Sequence, residues 1–203
     1  LTPHRYDLED TSEVIVGKTT AQSKRFTIYA NVFTGRSGIL AALHRSWHDD
    51  QKTQPADLRG VDPELFQAYL NFVYFGPETV EQWADASEAE ATAKPEGNTN
   101  DKKRIIKAEK QAAADLVFEM LIRLYLLAER LVDFKIANMV IAEIIRASRL
   151  LGCIPTQGPI SLAYASTVEG SPLRKLLRDY WICESASTHT DHERIRAAGF
   201  PLE

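Results

Sequence analysis

The sequence predicts an α+β fold, with strands first and helices after. Three features predict it. Two short β-branched runs lie near the start of the chain, separated by a short polar connection. Behind them, apolar residues recur at helical spacing in one segment after another. Most of these segments are bracketed by capping residues and by glycine or proline stops, and no repeated alternation of strand and helix follows, as a doubly wound sheet would need.

The first strand is read at EVIVG, residues 13–17, and the second at RFTIY, residues 25–29. In the second, alternation sets Phe26 and Ile28 on one face and Thr27 and Tyr29 on the other, so the pair reads as a hairpin. Residues 39–47 change to helical spacing, with Ile39, Leu40 and Leu43 on one stripe, and a polar loop is expected over 48–54. The next helix has clear limits. Asp62 is a good N-cap, Pro63 fits the first helical position, where its missing N–H costs nothing, and Gly76-Pro77 ends the segment.

Between residues 77 and 101 the composition shifts. Glu78, Glu81, Asp85, Glu88, Glu90, Glu96 and Asp101 are opposed only by Lys94, which reads as an acidic insertion. The sign then reverses at Lys102, Lys103, Arg104, Lys107 and Lys110. From Asp101 a single helical pattern runs to Leu131, with Ala112, Leu116, Met120, Leu124, Leu127 and Leu131 expected close to one face. Asp133 caps a following helix that carries Ile136, Met139, Val140, Ile144 and Ile145 inside, giving an antiparallel helical hairpin stopped at Gly152 and Pro155. Pro159 is expected to open a short helix ending near Glu169-Gly170, and Ser171-Pro172 to open another with Leu173, Leu176, Leu177, Tyr180 and Trp181 on its apolar face. The organisation expected is a domain over 10–151, a helical extension over 152–186 and a polar tail over 187–203.

Composition narrows the function. The 203 residues are 44% hydrophobic and 26% charged, enough to bury a core without disulfide staples. A net charge of −4 supplies no global basic field, so nucleic-acid binding is not expected. Two cysteines, Cys153 and Cys183, exclude a disulfide-built scaffold and suit an intracellular protein, cytoplasmic or nuclear. The most apolar stretches, 116–131 and 134–151, are cut by Glu119, Arg123, Glu129, Glu143, Arg146 and Arg149, which no membrane span would carry. LTPHRYDLED, at the start, holds no apolar core of the signal-peptide kind.

Motifs with chemical potential fare poorly. Gly17-Lys18-Thr19 follows a strand, but the glycine five positions earlier in a phosphate loop is replaced by Ser12, and a second strand stands where a helix is needed. Gly35-Arg36-Ser37-Gly38 falls one residue short of a nucleophile elbow and reads better as a serine N-cap. His44 and His48 stand four apart on a helix without the glutamate of a zinc motif, and His189 and His192 lie in the tail. The aromatics Phe66, Tyr69, Phe72, Tyr74 and Phe75 fall at helical spacing and read as core. No catalytic residue, metal site or cofactor is expected, and the chain is not read as an enzyme.

Taken together, SEVIVG, KRFTIYANVFTGRSGILAAL, ELFQAYLNFVYFG and LIRLYLLAERLVDFKIANMVIAEI resemble a BTB/POZ domain. The resemblance covers about residues 10–148, broken by the acidic insertion. It is closest to the fungal branch of that family, whose helical tail EGSPLRKLLRDYWI resembles. At Tyr29-Ala30 and Gly38-Ile39-Leu40 the chain departs from the family's pattern. The resemblance implies a cluster of helices flanked by a small β-sheet, with C-terminal helices added. It also implies a non-catalytic protein–protein interaction module whose partner is another protein or a second copy. Phe33, Ile39 and Leu40 are the candidate interface residues. The alternative is a substrate adaptor that joins a target to a cullin-type ubiquitin ligase, and its substrate-recruiting domain would lie in a longer native chain. A transcriptional or chromatin role, with the Lys102–Lys110 block touching nucleic acid, ranks behind both.

Overall fold

A computed structural model of the chain describes residues 11–17, 23–42, 56–78 and 99–187. It is a mixed α+β structure, as the sequence predicts. The chain divides into two compact units, one drawn from Leu1–Tyr74 and Leu127–Asn138, the other from Phe75–Leu126 and Met139–Glu203.

The first unit is built on a three-stranded sheet. Strand β1 (Thr11–Gly17) buries Ser12, Val14 and Val16 and turns Glu13 outward. Strand β2 (Lys24–Tyr29) pairs with it antiparallel, Val14 opposite Phe26 and Ser12 opposite Ile28, with Phe26 and Ile28 both inward as the alternation requires. Outside, Arg25 reaches Glu13 at 2.8 Å. The third strand, β3 (Ala56–Arg59), runs parallel to β1 and gives the order β2-β1-β3. Sequence reading leaves it unassigned. ADLR has four residues and one large apolar side chain, Leu58, too little for alternation to register. Its exit is fixed by Gly60, whose N–H donates to the Gly17 carbonyl at 3.2 Å with φ at 80°.

Helices cover the sheet. Helix α1 (Ala30–Thr34) follows β2 directly, and helix α2 is described over 38–42. The remainder of the segment expected to be helical to Trp47, and the loop after it, lie outside the described residues. Helix α3 (Pro63–Phe75) starts as expected, with Asp62 Oδ1 accepting from the N–H of Glu64 at 2.8 Å and of Leu65 at 3.3 Å. It brings Phe66, Tyr69 and Phe72 inward, and Phe66 meets Phe26 edge-on with ring centres 5.0 Å apart. After a 3₁₀ turn, Gly76–Glu78, the acidic segment expected over 77–101 lies mostly outside the described residues.

Two long helices serve both units, α4 (Thr99–Arg130) and α5 (Phe134–Leu151). Of the stripe predicted on α4, Leu124, Leu127 and Leu131 are buried as expected, and its earlier part is corrected. Ala112 and Leu116 are exposed, Leu116 by 60%, while Ala114, Val117, Phe118, Leu121, Ile122 and Tyr125 are buried. The sequence offers apolar residues on almost every side between 112 and 128, so more than one helical register fits the spacing. Helix α5 buries Val140 and Ile144 within the second unit and stops at Gly152, φ 60°.

Helix α6 (Gln157–Ser166) begins two residues before Pro159 and ends short of the expected Glu169. Its start is set from α4: Asp115 accepts from the Thr156 N–H at 3.1 Å and the Thr156 hydroxyl at 2.5 Å. Helix α7 (Pro172–Ser187) buries Leu173 and Leu177 as expected. The polar tail beyond Ser187 lies outside the described residues.

Candidate interaction surface

The turn between α4 and α5 organises the first unit's surface. Helix α4 closes with two paired bonds: the Val132 N–H donates to Glu129 O at 3.0 Å, and the Asp133 N–H to Ala128 O at 2.9 Å. This pattern requires a left-handed residue at its centre, normally glycine. Here it is Val132, at φ 56°, the one non-glycine residue with positive φ among those described. A β-branched side chain there costs roughly 1–2 kcal/mol.

What holds Val132 in place is buried polar structure on both sides. Asp133 is fully buried and caps α5, its Oδ1 accepting from the Ile136 N–H at 3.1 Å. Its Oδ2 accepts from the Tyr69 hydroxyl at 2.9 Å, with Arg36 Nε 3.8 Å away. Burial, and next the negative charge of Asp133, push the Tyr69 hydroxyl well above the ordinary tyrosine range. On the other side, the buried Ser37 hydroxyl donates to Leu131 O at 2.6 Å and accepts from the Leu40 N–H at 3.1 Å. Ser37 therefore acts as the predicted helix cap, with its proton committed to a carbonyl. The Gly38 N–H points to Val132 O at 3.5 Å, and a Cβ on Gly38 would stand 3.5 Å from Val132 Cγ1.

This frame presents apolar side chains to solvent. Val132 is 38% exposed and Phe134, two residues on, 65%. Ile39, next to Gly38 at the start of α2, is half-buried. On β2 and α3, Tyr29 and Tyr74 are partly exposed and stand edge to face at 6.2 Å, the Tyr29 N–H donating to the Tyr74 hydroxyl at 3.3 Å.

The three expected interface residues separate. Phe33 is 1% exposed and Leu40 2%, so both are core. Phe33 packs against Tyr69 and Tyr74, at 6.2 and 5.8 Å between ring centres. A five-residue α1 following β2 without a linker turns Val32 and Phe33 back over the sheet, which removes them as contact residues. Ile39 alone reaches the surface. Val132 and Phe134 escaped sequence reading as surface residues, Val132 being taken as the joint of the helical hairpin and Phe134 as the start of the helix that Asp133 caps. A β-branched residue in the turn, where glycine is normal, was the available signal.

Among the described residues no group of three or more histidine, cysteine, aspartate or glutamate side chains could hold a metal ion. His44, His48, His189 and His192 lie outside those residues, as do Lys18 and Thr19. Cys153 is a half-buried free thiol. No helix among the described residues is long and apolar enough to cross a membrane. No protein-family model matches the sequence, and no curated protein is similar enough to it to count as a match.

Proposed function

We propose that the chain is a non-catalytic protein–protein interaction module of the BTB/POZ type, working inside the cell, cytoplasmic or nuclear. The observation that carries the reading is the strained turn. A valine held at φ 56° by a buried Asp133 cap, with Phe134 65% exposed beside it, spends stability on keeping apolar side chains at the surface. The element order supports the BTB/POZ part: hairpin, two short helices, a third strand returning beside β1, an aromatic helix, then a helical pair joined by a tight turn. The binding face is Ile39, Val132 and Phe134, and a second copy is the first partner to test.

Light scattering on the whole chain is the test. The reading expects a mass above that of one chain which falls to one chain in Phe134→Asp and in Ile39→Asp, with helical circular dichroism unchanged. Self-association that ignores both substitutions overturns the assignment of this face. A monomeric wild type turns the test to titration with a cullin N-terminal domain; binding there supports the adaptor form of the same module, and no binding overturns both forms.

A further inference from the structure

Strand β2 forms one edge of the sheet, since the order is β2-β1-β3. Two hydrogen bonds fix the direction of its backbone groups. On β1, the Gly17 carbonyl accepts from the Gly60 N–H just after β3. The odd-numbered residues of β1 therefore address β3, while Ser12, Val14 and Val16 address β2. Their partners are Ile28, Phe26 and Lys24, so the N–H and C=O groups of Arg25, Thr27 and Tyr29 point away from the sheet. Tyr29 agrees with this phase, because its N–H donates to the Tyr74 hydroxyl at 3.3 Å. Among the described residues, nothing pairs with the outward backbone groups of Arg25 and Thr27. Both residues are exposed, whereas Phe26 and Ile28 between and beyond them are buried.

We infer that β2 pairs edge to edge with β2 of a second copy, antiparallel about a two-fold axis at Thr27, and joins two three-stranded sheets into one. Register and charge select this occupant. With Thr27 opposite the partner's Thr27, each N–H meets the other's carbonyl, and the Arg25 N–H meets the carbonyl of the partner's Tyr29. The Tyr29–Tyr74 bond stays in place. On the outer face two threonines then stand on the axis and each guanidinium lies opposite a tyrosine ring, so no like charges meet. Centring the pair on Arg25 instead would set two guanidiniums against each other. The cations of the strand are already answered within one copy: Arg25 reaches Glu13 at 2.8 Å, and the Lys24 ammonium lies 5.0 Å from the centre of the Phe26 ring. The edge therefore asks for backbone groups and not for carboxylates. A contact this narrow stands at the weak end of protein interfaces, and it forms at higher concentration than association through the Val132 face, of which it is independent.

The test is sedimentation equilibrium on the whole chain carrying Phe134→Asp, which takes the Val132 face out of play. The inference expects the mass of one chain at micromolar concentration, rising towards two chains as millimolar concentration is approached. Thr27→Lys and Thr27→Glu change an exposed side chain and should each weaken this pairing about fivefold, because like charges then meet on the axis. Mixed in equal amounts, the two variants should pair again, lysine against glutamate. Thr27→Pro removes an outward N–H without touching the bonds to β1, and should abolish the pairing. Circular dichroism and a thermal melt on each variant separate loss of contact from loss of fold. A chain that stays single at every concentration overturns the inference. So does pairing that ignores Thr27→Lys and Thr27→Glu, or a mixture of the two that stays single. Should Phe134→Asp keep the full wild-type mass at micromolar concentration, the Val132 face fails, and the Thr27 variants still decide whether β2 carries the association.

Discussion

The Tyr69 hydroxyl donates to Asp133 Oδ2 at 2.9 Å across 64 residues of sequence, with both side chains buried. The bond ties α3 to the turn between α4 and α5. Asp133 also caps α5 and stands 3.8 Å from Arg36 Nε, so its charge is compensated by three different segments. Removing one donor leaves part of a buried carboxylate unanswered. Tyr69→Phe is expected to cost about 1–3 kcal/mol, measured by urea unfolding at neutral pH.

The same tyrosine sets an alkaline limit. Its folded-state pKa is raised above the ordinary value of 10.0, by burial first and by Asp133 second. The unfolded chain therefore loses this proton before the folded one does. The resulting stability is complete below pH 10 and declines above it, by about 1.4 kcal/mol per pH unit for the single group. Tyr74 and Tyr180 shift upward as well, chiefly through burial, and steepen the decline. Unfolding midpoints measured from pH 9 to 11.5 should fall in the wild type and fall less steeply in Tyr69→Phe. Parallel slopes would show that Tyr69 ionises equally well in both states.

Val132 separates stability from surface. Replacing it with glycine removes the left-handed strain, worth roughly 1–2 kcal/mol, and loses a side chain that is 38% exposed together with some unfolded-state restriction. The expected result is a urea midpoint equal to or above the wild type's, with weaker self-association. A loss of more than about 1 kcal/mol would mean that Val132 is needed for packing and that the strain account fails.

Phe33 and Ile39 test core against surface directly. Phe33→Asp places a carboxylate among Tyr69 and Tyr74 at a site 1% exposed, and should unfold the first unit outright or cost more than about 4 kcal/mol. Ile39→Asp, at a half-buried position, should leave the fold standing. Thermal melts of the two variants distinguish them without reference to any partner.

Much of the fold was legible because its signals are local. Asp62-Pro63, Gly76, Asp133, Gly152 and Ser171-Pro172 mark helix ends by capping and backbone chemistry, and the structure uses each of them there. Alternation in β2 gave its inward face for the same reason. The misses came from tertiary context. β3 exists because β1 offers it an edge, and the start of α6 is chosen by Asp115, some forty residues earlier. The exposed face of α4 could not be selected from a segment apolar on most sides. At the candidate site, Ile39 was identified, but Phe33 and Leu40 are apolar in the same way whether they face a partner or the core. Val132 and Phe134 required knowing which backbone conformation the turn imposes.

Arg174 shows how one side chain closes a helix the sequence leaves open. Helix α6 ends at Ser166, with Thr167 as its C-cap and no basic residue in its last turn. Arg174, from α7, supplies the missing donors: its Nη2 donates to Tyr164 O at 2.7 Å and also to Thr167 O, and its Nε donates to the Thr167 hydroxyl at 2.9 Å. The guanidinium also lies over the Tyr164 ring, 4.8 Å from its centre. These are carbonyls that a helix end cannot satisfy internally. Arg174→Ala should therefore cost about 1.5–3 kcal/mol and raise amide exchange in the last turn of α6 before it does so in α4. Arg174→Lys should recover less than half of that loss, because a single ammonium cannot reproduce the planar fork or its stacking. Full rescue by lysine would assign the contribution to charge alone.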